Sequence, residues 1–103
     1  MNRETYSVRW KLHQATAALD YSLECFGDHL AEQESYPSDI DGFDAIYLYL
    51  SNKHNWPINT CKAMSKDDLR LALAVELKDW KLPRDARFGL SVHEDLEVVI
   101  ERE

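Results

Sequence analysis

The chain has 103 residues, 45% of them hydrophobic and 11% aromatic, and carries a net charge of −7. That length suits a single domain, residues 1–103, and three Gly and three Pro argue against a low-complexity chain. No apolar run approaches the roughly 20 residues that span a bilayer, and an acidic chain is repelled by phosphate backbones, so neither a membrane nor direct nucleic-acid binding is expected.

From the N-terminus, Tyr6, Val8, Trp10 and Leu12 alternate with Ser7, Arg9 and Lys11. A period of two predicts a half-buried strand. A helix starting here is the alternative, because Val8, Leu12 and Ala15 also stand at helical spacing. Next, Leu12, Thr16, Leu19, Leu23, Phe26 and Leu30 recur every three or four residues. That stripe predicts a helix over 14–34. Gly27 lies inside it and, if exposed, costs about 1 kcal/mol relative to alanine. Pro37 ends the helix and pushes Tyr36 out of helical geometry.

Asp39 or Asp41 can cap a second helix through Phe43, Ile46, Tyr47 and Leu50, which the helical spacing from Phe43 favours, although the run from Ile46 to Leu50 also reads as a buried strand. Trp56-Pro57 opens about one further turn, through Ile58 to Met64. Ser65 followed by Asp68 forms a capping box with Asp in place of Glu. It predicts a helix from Lys66 to Trp80 that carries Leu69, Leu73, Leu77 and Trp80 on one stripe. Leu71, Ala72, Ala74 and Val75 fill much of the remaining circumference, so this helix is expected at the centre of the core. Leu82-Pro83 stops it. Beyond, Phe88, Leu90 and Val92, then Leu96, Val98 and Ile100, alternate as a hairpin would.

The expected fold is therefore α+β: three or four helices packed on a small antiparallel sheet made of the N-terminal strand and the C-terminal hairpin. An all-α bundle is the alternative.

Motifs for chemistry are absent. Gly27, Gly42 and Gly89 are isolated, so no phosphate-binding loop or dinucleotide fingerprint exists. Cys25, His29, His54 and Cys61 are ligand types zinc uses, but their spacing matches no zinc motif. A calcium loop counted from Asp39 would place Phe43 and Leu50 at two ligand positions, and it fails. His13, His29, His54 and His93 are dispersed, and no local feature activates either thiol. No enzymatic activity, catalytic residue, metal or cofactor is expected.

Charge is the most informative property. Residues 12–52 contain no Lys or Arg but eight carboxylates, among them Glu24, Asp28 and Glu32, four apart on the first helix. With the aromatic set Tyr36, Tyr47, Tyr49 and Trp56, they are the candidate partner-binding residues. A non-enzymatic interaction module for a protein partner, basic in character, is the leading expectation, with homo-oligomerisation as one form of it. The alternatives are a small-molecule binder with a pocket lined by Tyr47, Tyr49 and Trp56, and an acidic mimic of nucleic acid. Cys25 and Cys61 read as reduced thiols, and the first residues lack the apolar stretch of a signal peptide, so cytoplasm is the expected compartment.

Overall fold

The computed structural model describes residues 2–88. Four helices follow in order: α1 (Arg3–Gln33), α2 (Gly42–His54), α3 (Ile58–Lys62) and α4 (Lys66–Ala72); a single 3-10 turn occupies Arg84–Ala86. There is no strand among the described residues. The α+β expectation is thus overturned, and the all-α alternative describes this part of the chain. The C-terminal hairpin expected from Phe88 to Ile100 lies, beyond Phe88, outside the described residues.

The N-terminal strand is the clearest correction: Tyr6 to Leu12 belong to α1. Asn2 caps that helix, its Oδ1 accepting hydrogen bonds from the Thr5 amide at 2.9 Å and the Thr5 hydroxyl at 3.1 Å. The alternation that suggested a strand divides on a helix into two pairs spaced four apart. Tyr6 stands above Trp10 on one side, and Val8 above Leu12 on another. All four are more than half exposed, so no face here is half-buried as a strand in a sheet would require.

The chain divides into two compact units, Leu23–Leu82 and a second made of Met1–Ser22 with Pro83–Glu103. The core of the first unit gathers Leu23, Phe26 and Leu30 of α1, Ile46 and Leu50 of α2, Cys61 of α3, Leu69 of α4, and Leu73 just beyond it. Phe43, Tyr47, Tyr49, Trp56, Met64, Leu77 and Trp80 pack around this centre, partly buried. In the second unit the Tyr21 hydroxyl donates to the Ala86 carbonyl at 2.6 Å, fastening the 3-10 turn to α1.

Chain breaks follow local chemistry. α1 closes with the Tyr36 amide reaching back to the Ala31 carbonyl and Ser35 in the left-handed region at φ 57°. This is a helix-ending motif in which glycine is the usual residue. α2 ends on Asn55, also left-handed. α4 begins as expected, the Asp68 amide donating to Ser65 Oγ at 3.0 Å.

The expected helix to Trp80 stops early, at Ala72. The chain continues as successive turns, mixing three-residue bonds such as Ala74 N–H to Leu71 carbonyl with the four-residue bond from Leu77 to Leu73. Leu71 and Val75 are 76% and 79% exposed. The segment is therefore buried along one stripe only, and the reading of a helix surrounded by core is corrected. No helix among the described residues is long and apolar enough to cross a membrane.

Candidate binding cleft

In the larger unit α1 and the start of α2 approach backbone to backbone. A Cβ at Gly27 would lie 3.0 Å from Gly42 Cα and well inside contact distance of the Gly42 carbonyl oxygen. Only glycine fits at position 27, and its backbone packs directly on that of α2. One residue further along α1, Asp28 Oδ1 accepts the Gly42 N–H at 2.8 Å. The first amide of α2 is thus capped from another helix. Asp41 occupies the N-cap position with extended backbone, but its side chain makes no capping bond. Gly42 itself has φ +54°, and its Cα faces the Glu24 side chain. Glycine here meets both needs, a left-handed backbone and close neighbours.

The acidic row of α1 is therefore not uniformly solvent-facing. Glu24 lies against Gly42, Asp28 holds its amide, and Glu32 opens into a cleft of about 390 Å³. The cleft is lined by Asp28, Glu32, Tyr36, Pro37, Ile40 and Asp41, together with Ala31, Ser35 and Ser38. Three carboxylates converge on it, and among the described residues no Lys, Arg or His lines it. Apolar surface comes from Tyr36, Pro37 and Ile40. Burial, with a smaller push from the Glu34 charge, raises the Tyr36 phenol above its ordinary range, against a side-chain hydrogen bond with Asn52. Tyr36 therefore enters the cleft wall as a neutral phenol.

The other aromatic candidates stand elsewhere. Tyr47, Tyr49 and Trp56 pack on the core and do not line the cleft. Trp56 stacks on His54 with ring centroids 4.3 Å apart, and its carbonyl accepts the Ser51 hydroxyl at 2.7 Å.

A second polar cluster joins α2 to the turns after α4. The Tyr49 hydroxyl donates to Glu76 Oε2 at 2.7 Å, and Lys53 forms an ion pair with the same oxygen. Oε1 of Glu76 is buried without a hydrogen-bond partner among the described residues. Burial alone would push the Glu76 carboxyl up; hydrogen bonds from Lys53 and Tyr49 and the Lys53 charge outweigh it and hold the group below its ordinary value. Burial and the bond to Glu76 push Tyr49 in the opposite direction, to about 12.

The signs give two limits of stability. Glu76, with its folded value depressed, stabilises the fold above its unfolded pKa, and this is lost as pH falls through the folded value. Tyr49, raised, contributes fully below its unfolded value of 10.0 and loses that contribution as pH rises through about 12. Phenolate absorbance across an alkaline titration should show a tyrosine ionising near 12, and the Tyr49→Phe variant should lack that step. Persistence of the step in the variant would place it on another phenol.

The residues weighed for zinc do not converge. His29 stacks on Phe26 at 5.6 Å, His54 stacks on Trp56, and Cys61 is fully buried, its thiol pushed up by desolvation. Among the described residues no group of three His, Cys, Asp or Glu side chains could hold a metal ion.

Sequence reasoning placed Asp28 and Glu32 on one row but missed Asp41, Pro37 and Ile40 as cleft walls. The available signal was the pairing of a carboxylate beside Gly27 with a second glycine directly after Asp41. No family model, curated protein or solved structure is similar to this chain.

Proposed function

We propose that the protein is a non-enzymatic interaction module that takes a basic side chain of a protein partner into the cleft between the end of α1 and the start of α2. One observation carries this reading: Asp28, Glu32 and Asp41 converge on a cleft of about 390 Å³ with no lining cation among the described residues. Carboxylates supply charge-assisted acceptors for an ammonium or guanidinium head. Tyr36, Pro37 and Ile40 suit the aliphatic stem behind it. The volume is at the small end for a ligand pocket, matching one or two side chains better than a drug-sized molecule. Two cysteines are fewer than the disulfide framework of a small secreted domain usually needs, which supports a reducing, cytoplasmic setting.

The test uses a fluorescent peptide rich in Lys and Arg and a control with those residues replaced by Glu. The double variant Glu32→Lys with Asp41→Asn leaves the Asp28–Gly42 bond in place. Its affinity for the basic peptide should fall at least about tenfold, equivalent to ~1.4 kcal/mol. Binding by the parent chain should weaken as salt rises. Equal affinity for the two peptides, or no change in the double variant, would overturn the reading.

A further inference from the structure

Residues 66–80 contain no Gly or Pro, and six of the seven residues 72–78 are strong helix formers, Val75 being the exception. Nothing local ends α4 at Ala72, yet residues 73–79 form turns. The break therefore comes from contacts with other helices, and two of them grip the segment. Trp80 packs edge-on against Phe26 of α1, with ring centroids 5.2 Å apart, and lies 5.5 Å from His29. Glu76 is held on α2, where its Oε2 accepts the Tyr49 hydroxyl at 2.7 Å and pairs with Lys53.

The backbone bonds are those of a chain drawn out between these anchors. The amides of Ala74, Lys78 and Trp80 reach back three residues, to Leu71, Val75 and Leu77, while Leu77 reaches back four, to Leu73. Turns closed over three residues rise about 2.0 Å per residue against about 1.5 Å in an α-helix. Between Leu73 and Trp80 they add up to about 3.5 Å of reach.

The grip on Glu76 is incomplete. Its Oε1 is buried without a hydrogen-bond partner among the described residues. That stranded oxygen opposes the arrangement which the charged contact with Lys53 favours. A continuous helix reverses both terms: the backbone ladder over 73–79 is regained, and the carboxylate gives up its two donors. The segment thus has two arrangements, and the choice between them rests on one side-chain cluster.

We propose that Tyr49 and Lys53 form a conformational lock: by holding Glu76 they keep residues 73–79 in turns, and on its release α4 runs on as one helix to Trp80. Lys53 is the accessible half of the lock, its side chain 43% exposed against 14% for Glu76. Loss of its charge is the event that opens the segment.

The test uses the full chain in solution by NMR. Glu76→Gln removes the charge and keeps the helix propensity. Lys53→Met combined with Tyr49→Phe removes both donors from the other side and keeps their bulk. In each, the Cα shifts of residues 74–79 should move to helical values, and NOEs between residues four apart should replace those between residues two apart. The shifts of α1 should stay where they are. Unchanged shifts over 74–79 in both variants would overturn the proposal. So would coil values there without a helix, because the cluster would then order the segment rather than choose its form. If only one variant folds, its shifts decide.

Discussion

Replacing Gly27 by alanine is expected to destabilise the protein by about 3 kcal/mol, although alanine is the better helix former by about 1 kcal/mol at an exposed interior position. The sign reverses because the added methyl would meet the Gly42 carbonyl, a backbone group that no side-chain rotation can move aside. Separating the helices to admit it would also stretch the bond from the Gly42 amide to Asp28, a loss of about 1 kcal/mol in its own right. Chemical denaturation with a two-state fit measures the effect. A stabilised Gly27→Ala variant would mean that α1 and α2 do not approach at this point.

Leu73→Ala is the second large effect, with an expected loss of about 2–5 kcal/mol. Leu73 is completely buried, and its amide bonds back to the Leu69 carbonyl at 3.0 Å, where the helical ladder gives way to turns. Leu71→Ala and Val75→Ala, two positions either side, should each change stability by less than about 0.5 kcal/mol, because both side chains face solvent. A urea melt of the three variants separates the one buried stripe observed from the all-round burial inferred from composition. Equal losses at all three positions would restore the central helix.

Those variants also mark how far the sequence could be read. Two helix starts were legible from a single local residue: Ser65 caps α4 through Asp68, and Pro57 stands directly before α3; the cap that Asn2 places on α1 was not read from the sequence. The buried stripe of Leu23, Phe26 and Leu30 was legible because its spacing repeats every three or four residues. At Tyr6 to Leu12 the pattern was ambiguous in principle. Residues two apart satisfy a strand, while the same residues four apart satisfy a helix, and only burial separates the cases. In 71–75 apolar composition overstated burial, since a leucine and a valine can stand in water without penalty beyond their own exposure.

The cleft was half legible. Spacing put Asp28 and Glu32 on one face of α1, but Asp41 joins them only through the chain reversal at Ser35 to Asp41. Nothing local marks a carboxylate that caps a helix fourteen residues away. Gly27 looked like a weak point in a helix because its partner backbone is likewise remote in sequence.

Cys61 gives the molecule a built-in clock. Its sulfur sits at zero exposure among Leu50, Leu69 and Leu73, and burial disfavours the thiolate that an alkylating reagent requires. Modification at that atom therefore waits for the surrounding helices to part. With reagent in excess, the rate of labelling reports how often the Leu23–Leu82 unit opens, without a dye, a tag or any denaturant.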